Sequence, residues 1–461
     1  MRNLSRSTLI GPTLVLATLV SSIISSFGAP LIPTIADDFH VPLSTAQWSL
    51  TVALLVGAIS SPVLGRLGDG PRRRATLLSG LVVVTVGSIL AAIAGSLGML
   101  LVGRALQGVG LGLSPLAMAT AQDALPRDKV APMIALLSVS AGAGLGAGYP
   151  ISGWLAEAWG LAGAYWFGAI VSGLTVICVA VVVPHTTTHD PAPRLDWPGI
   201  ALLTLALTTT LVAISEGAHW GWGSPSIVAL LISGIVLFTG WTVQQLRTRH
   251  PLVQLRLLRH PSVLSGDACA LALGAAMYMV LSGVTEFAQS PSSEGFGFSA
   301  SAAVAGLTLI PLSFFMLVSS SRILPAALRR FGRRPVLTLG CFIASIGCGF
   351  FALAHDDLWQ AFAMTAILGI GLGVTFAAIP GAIVQAVPSG ETGSATGFYQ
   401  VVRFTGFAIG SALTATILTA RATAGNHATL EGYTTVLWVS AALCVSAGAL
   451  VWLLQPARSV P

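Results

Sequence analysis

The chain has 461 residues, 54% of them hydrophobic and only 8% charged, with a mean hydropathy of +0.85. An ordinary soluble domain carries about 25% Asp, Glu, Lys and Arg, so soluble enzymes, nucleic-acid-binding proteins and disordered chains are excluded. The net charge of +6 sits in short loops between long apolar runs, where it reads as a membrane topology signal.

A membrane-spanning helix needs about 20 mostly apolar residues. Fourteen runs qualify, at 9–35, 46–66, 76–95, 98–121, 133–155, 162–183, 198–216, 226–246, 263–287, 300–321, 336–353, 359–384, 394–420 and 433–454. The first run follows Arg2 and Arg6 but continues to Ile35, so it reads as a span and not as a cleaved signal peptide. With the N-terminus inside, the Lys and Arg gather in inner loops, which places both termini in the cytoplasm. Arg421 alone falls outside, and Arg104 and Arg403 fall within spans. The scarcity of Lys, with Lys129 the only one, points to a GC-rich bacterial genome and hence to a bacterial plasma membrane.

Polar residues within the apolar runs are the candidates for function. In span 1, Ser22 and Ser25 belong to a hydroxyl-lined stretch that could face a cavity. Between spans 2 and 3 lies Gly65-Arg66-Leu67-Gly68-Asp69-Gly70-Pro71-Arg72-Arg73-Arg74. Its small residues permit close approach to a neighbouring helix end, Asp69 suits the positive end of a helix, and Arg73 and Arg74 hold the inner face. We read the block as a functional latch. Span 4 carries Arg104 and Gln107. An Arg deep in a span costs about 2.5–3.5 kcal/mol on insertion scales, so it faces a cavity or a partner, or it is held by backbone carbonyls. Span 5 contains Gly144, Gly148, Pro150 and Gly153, a small-residue stripe for tight packing with a proline that bends the helix.

In span 9, Asp267 near the inner end and Glu286 near the outer end are candidate proton carriers, about 28 Å apart along a helix. A carboxyl that alternates between dry and wet surroundings can take up and release a proton. Arg403 in span 13 is a further buried cation, able to pair with a carboxylate or to contact an anionic substrate. The histidines lie in loops or at span edges, including the pair His185 and His189, so no metal or other cofactor is expected. The cysteines read as small packing residues, and Cys341 and Cys348 are about 10 Å apart on one helix, too far for a disulfide.

The chain also repeats itself. Arg73, Arg104, Gly108, Gly110 and Gly112 align with Arg334, Thr365, Gly369, Gly371 and Gly373 at a constant offset of 261 residues. That is a parallel repeat of a six-helix unit. It divides the chain into an N-terminal bundle (1–183), a linker with two extra spans (184–262) and a C-terminal bundle (263–461).

These blocks, in this order, resemble the major facilitator superfamily, and more narrowly its 14-span drug:proton antiporter family. Gln47-Trp48, Leu195-Asp196-Trp197-Pro198-Gly199, Pro251-Leu252-Val253 and Thr285-Glu286-Phe287-Ala288-Gln289 carry the likeness along nearly the whole chain. The resemblance implies a major facilitator fold, with an inner gate at Gly65–Arg74, proton coupling at Arg104, and an antiporter helix at Gly144–Gly153. Three departures stand out. Gly70 and Arg72 exchange the residue types the loop pattern expects, Tyr149 intervenes before Pro150, and Ile24 occupies a position where the family often has Asp.

The expectation is therefore a monomeric, proton-coupled exporter of lipophilic small molecules such as drugs or antibiotics. It would work by alternating access, with protons and the lipid bilayer as its other partners and no nucleic acid. A uniporter or symporter for a specific metabolite is the alternative within the fold. A membrane sensor or intramembrane enzyme would need an output domain or a polar catalytic cluster, and neither is visible.

Overall fold

The structure, a computed structural model, describes residues 2–27, 31–41, 43–68, 72–184, 195–388, 391–421 and 428–455. Among these residues the protein is helical throughout its spans, and 13 helices are long and apolar enough to cross a membrane. Asp69, His185 and His189 lie outside the described residues.

The chain forms α1 (Arg2–Ser26), α2 (Ile32–Phe39), α3 (Leu43–Ala46), α4 (Trp48–Gly68), α5 (Arg73–Ala92), α6 (Leu97–Gly108), α7 (Leu113–Ala124) and α8 (Arg127–Val182). It continues through α9 (Trp197–Trp220), α10 (Pro225–Arg247), α11 (Pro261–Gln289), α12 (Ala302–Leu307), α13 (Ile310–Val318) and α14 (Leu324–Phe331). It ends with α15 (Arg333–Leu353), α16 (Leu358–Ala386), α17 (Thr392–Ala420) and α18 (Leu430–Leu454). Two differences from the sequence reading have local causes. The first run does not stay helical to Ile35: α1 stops at Ser26 and α2 starts at Ile32. Pro30 and Pro33 lack the N–H groups that a continuous helix would donate four residues back. The fifth and sixth runs, in turn, meet with no loop between them: the stretch α8 is two helices separated by a kink at Gly160, whose non-helical φ of 71° is readily adopted by glycine.

Two compact units emerge. The first comprises Met1–Asp196, His250–Gln254 and Ile383–Gln400. Its core packs Leu14 of α1, Leu77 and Leu81 of α5, Leu113 and Leu116 of α7, and Leu137 of α8. A second cluster joins Phe27, Ile35, Leu100 and Tyr165.

The second unit comprises Trp197–Arg249, Leu255–Ala382 and Val401–Pro461. Here α18 packs on both α11 and α15, and α9 pairs with α10. Ile232, Ile235 and Val236 of α10 are exposed, as an apolar face turned to lipid should be. The repeat is visible in the helices: α6 and α16 begin at Leu97 and Leu358, at the 261-residue offset, and α5 and α15 begin at Arg73 and Arg333, within one residue of it.

Candidate transport site

In the first unit the polar centre is Arg104, fully buried on α6. Its Nε donates to the Ser49 carbonyl at 3.0 Å, and Nη1 donates to the Ile24 carbonyl at 3.0 Å and to Gln107 Oε1 at 2.5 Å. Nη2 donates to the Ser25 carbonyl at 2.8 Å. The carbonyls of Ile24 and Ser25 belong to the last turn of α1, at the negative end of its dipole, and the Ile24 carbonyl also accepts from the Phe27 N–H at 3.2 Å. Arg104 thus caps the interrupted first span. Ile24, where the resemblance would lead one to expect an acid, contributes its carbonyl instead. All four acceptors are uncharged, so the cation is held by dipoles.

The network continues outward from this Arg. Gln107 Nε2 donates to Ser88 Oγ at 3.0 Å, and Ser25 Oγ donates to the Gln107 carbonyl at 2.9 Å. Ser22 is buried on the neighbouring face, against Gly144 of α8. A Cβ added at Gly144 would lie 2.7 Å from Ser22 Cβ and 2.9 Å from the Leu19 carbonyl oxygen. One added at Gly148 would meet the Ser26 hydroxyl and lie 2.8 Å from the Ile23 carbonyl oxygen. The glycine stripe therefore lets α8 lie directly on the α1 backbone, with Pro150 and Gly153 buried further along the same helix.

At the far end of α4 a second polar group forms. A Cβ at Gly65 would run into the Gly393 carbonyl, and one at Gly397 would lie 2.8 Å from the Ser61 carbonyl oxygen, so α4 and the first turns of α17 touch backbone to backbone. Beside them, Arg66 Nη1 pairs with Glu391 Oε2 at 3.0 Å, and Gln254 Nε2 donates to Glu391 Oε1 at 2.8 Å. Ser394 Oγ donates to the Leu252 carbonyl at 2.8 Å. Arg73 pairs with Asp123 of α7, and Arg74 Nη2 donates to the Ala180 carbonyl at 2.6 Å. The sequence reading identified Gly65, Arg73 and Arg74 but missed Glu391, Gln254 and Asp123. An acid beside a span end was the available signal for Asp123 and Glu391.

In the second unit the two span-9 acids differ. Glu286 is exposed, whereas Asp267 is 6% exposed and neither carboxyl oxygen has a hydrogen-bond partner among the described residues. Arg403 is buried on α17 with its guanidinium 5.5–5.8 Å from the ring centres of Phe376, Phe404 and Phe407, within cation–π range. Four of the five cysteines are buried, and Cys269 and Cys341 approach to 3.8 Å across α11 and α15.

Helices of membrane-spanning length with buried charges held among them suit a membrane-embedded protein. The family model of the Major Facilitator Superfamily matches residues 14–411 and again 326–461, and the chain belongs to that superfamily. An uncharacterised MFS-type transporter of Mycobacterium tuberculosis is 29% identical over 88% of this chain, which spans 59% of that relative's length. The tetracenomycin C resistance and export protein of Streptomyces glaucescens is 26% identical over 84% of this chain and 72% of its own. A uridine/deoxyuridine transporter of Lactococcus lactis is 24% identical over 75% and 73% of the two chains. The crystal structure of the human organic anion transporter MFSD10 superposes with a TM-score of 0.66, covering 96% of this chain and 99% of that one at 14% identity, a likeness of fold.

Proposed function

We propose that the protein exports lipophilic small molecules in exchange for protons by alternating access, with Asp267 carrying the proton. The observation that carries this reading is Asp267 itself, buried in α11 with both oxygens unbonded among the described residues. A buried polar group without partners costs roughly 1–3 kcal/mol, so its presence calls for a functional reason. A carboxyl outside any fixed ion pair is available to take a proton at one step and release it at another. Glu286, exposed near the other end of α11, is the second candidate.

Export is favoured by the close seam of Gly144 and Gly148 on α1, which seals one face of the first unit, and by the relative named as a tetracenomycin C resistance and export protein. Arg104 holds α1, α4 and α6 together around that seam. The cluster at Gly65, Arg66 and Glu391 serves as the inner gate. The charge asymmetry of its loops supports an orientation with both termini in the cytoplasm, and we take the protein to act as a monomer in a bacterial plasma membrane.

The uridine/deoxyuridine transporter among the relatives favours one alternative, uptake or facilitated passage of a polar metabolite. Inverted membrane vesicles, acidified inside and monitored with a pH-sensitive dye, separate the two. Lipophilic cations, neutral drugs and organic anions are added in turn, and then uridine. Proton release on adding a lipophilic compound, absent with uridine, is the expected result. Uridine flux without proton movement would replace the export reading with the alternative.

A further inference from the structure

The two halves of the repeat treat their arginines differently. In the first half the loop contains Asp69, and Arg73 pairs with Asp123. The offset of 261 places Arg330 where Asp69 stands and Val384 where Asp123 stands. The second copy has thus replaced both acids while keeping and adding cations. From Gly295 to His355 the chain carries Arg322, Arg329, Arg330, Arg333 and Arg334, with no Asp, Glu or Lys. A span boundary needs a few positive charges for orientation, but topology alone does not require removing both acids.

The structure sets these arginines above an apolar strip. Arg322, Arg329 and Arg330 are exposed, and the Arg334 guanidinium stacks 4.2 Å from the ring centre of Trp452. Along α15, beyond Arg333 and Arg334, Leu339, Phe342 and Ile346 are 53%, 42% and 62% exposed. Their spacing of three and then four residues puts them in one stripe on the helix. Phe331 is exposed beside Arg330, as are Trp452 and Leu453 of α18 near Arg334. A group of guanidinium ions without acids in their own stretch, at the head of an apolar stripe, has the shape of a phospholipid: phosphate on the arginines, acyl chain along the stripe.

We infer that Arg329, Arg330 and Arg334, with the stripe Leu339–Phe342–Ile346, form a binding site for an anionic phospholipid. Guanidinium groups pair with phosphate through two parallel hydrogen bonds, and the added negative charge offsets the mutual repulsion of the cluster. The apolar stripe selects a lipid over free phosphate. The site does not depend on which substrate the protein carries or in which direction.

Native mass spectrometry of the purified full-length protein, delipidated and then titrated with phosphatidylglycerol or phosphatidylcholine, tests the site. Wild-type protein should retain phosphatidylglycerol at least tenfold more tightly. Each arginine changed to Gln should weaken it roughly fivefold, the equivalent of about 1 kcal/mol per basic residue near an anionic surface. The triple variant Arg329→Gln/Arg330→Gln/Arg334→Gln should lose the preference, while Arg247→Gln/Arg249→Gln should keep it. Arg→Lys at the same three positions should restore most of it, which separates charge from misfolding. Equal retention of the two lipids by wild-type protein would overturn the proposal without any variant. Displacement of phosphatidylglycerol by millimolar inorganic phosphate would also overturn it, by showing a free-phosphate site.

Discussion

Replacing Gly148 by Ala tests the close packing of α8 on α1. The new methyl would meet the Ser26 hydroxyl, which can rotate, and the Ile23 carbonyl oxygen at 2.8 Å, which is backbone and can yield only if a helix moves. Overpacking of this kind costs about 1–3 kcal/mol, partly offset by the gain of about 1 kcal/mol when Ala replaces Gly within a helix. Gly173, on the helix beyond the Gly160 kink, supplies the control, because a Cβ there meets only Thr85 Cγ2 at 3.8 Å, an ordinary contact. Gly173→Ala should therefore show the propensity gain alone. The two variants should differ in stability by about 1–3 kcal/mol, with Gly148→Ala the weaker, a gap of a few degrees in thermal midpoint for a chain of this size. Thermal unfolding of the purified proteins by intrinsic fluorescence, with each variant's transport rate in vesicles, measures both consequences. If Gly148→Ala matched Gly173→Ala in midpoint and rate, the backbone contact between α1 and α8 would not exist as described.

Arg104→Lys keeps the charge but loses the planar fork that reaches three helices. With hydrogen bonds to charged groups contributing about 1.5–3 kcal/mol each, the variant should fall in folded yield and thermal midpoint as far as Arg104→Gln does. Near-normal behaviour of the Lys variant in size-exclusion and melting assays would show that charge alone suffices. Glu391→Ala removes the acceptor shared by Arg66 and Gln254 and should destabilise the protein by about 1–3 kcal/mol, whereas Glu391→Gln, which keeps an acceptor oxygen, should lose less. Equal melting of the two variants would contradict this. The 3.8 Å approach of Cys269 to Cys341 predicts that a membrane-permeant trivalent arsenical bridges them, lowering the free-thiol count by two and adding one arsenical in the intact mass. Cys341→Ser should abolish that adduct, and an unchanged adduct would place the bridge elsewhere.

The spans were legible because a bilayer demands long apolar runs, and averaging over such runs is robust. The same averaging hid the break in span 1, since Pro30 and Pro33 interrupt a stretch whose hydropathy stays high. Nor could it place the kink between spans 5 and 6 at Gly160, which depends on the dihedral angles of one residue. Arg104 stood out in sequence as a charge in an apolar helix, yet three of its four acceptors are main-chain carbonyls, which carry no residue signature. The partners of Arg66 and Arg73 lie 325 and 50 residues away, beyond any local spacing rule. Helical spacing correctly kept Cys341 and Cys348 apart, but the neighbour of Cys341 comes from α11, and only packing reveals it. The two acids of α11 stand at opposite ends of the span in sequence, but that Asp267 has neither oxygen hydrogen-bonded among the described residues is visible only in the packed structure.

The central claim is that Asp267 couples substrate movement to protons, and Asp267→Asn in reconstituted liposomes tests it most directly. Two rates are compared with wild type: uphill accumulation of a fluorescent lipophilic cation under an imposed pH gradient, and exchange of the same dye across the membrane with no gradient. The account predicts that the variant keeps exchange and loses uphill accumulation, because it binds and reorients without moving a proton. Gradient-driven accumulation at the wild-type rate in Asp267→Asn would contradict it.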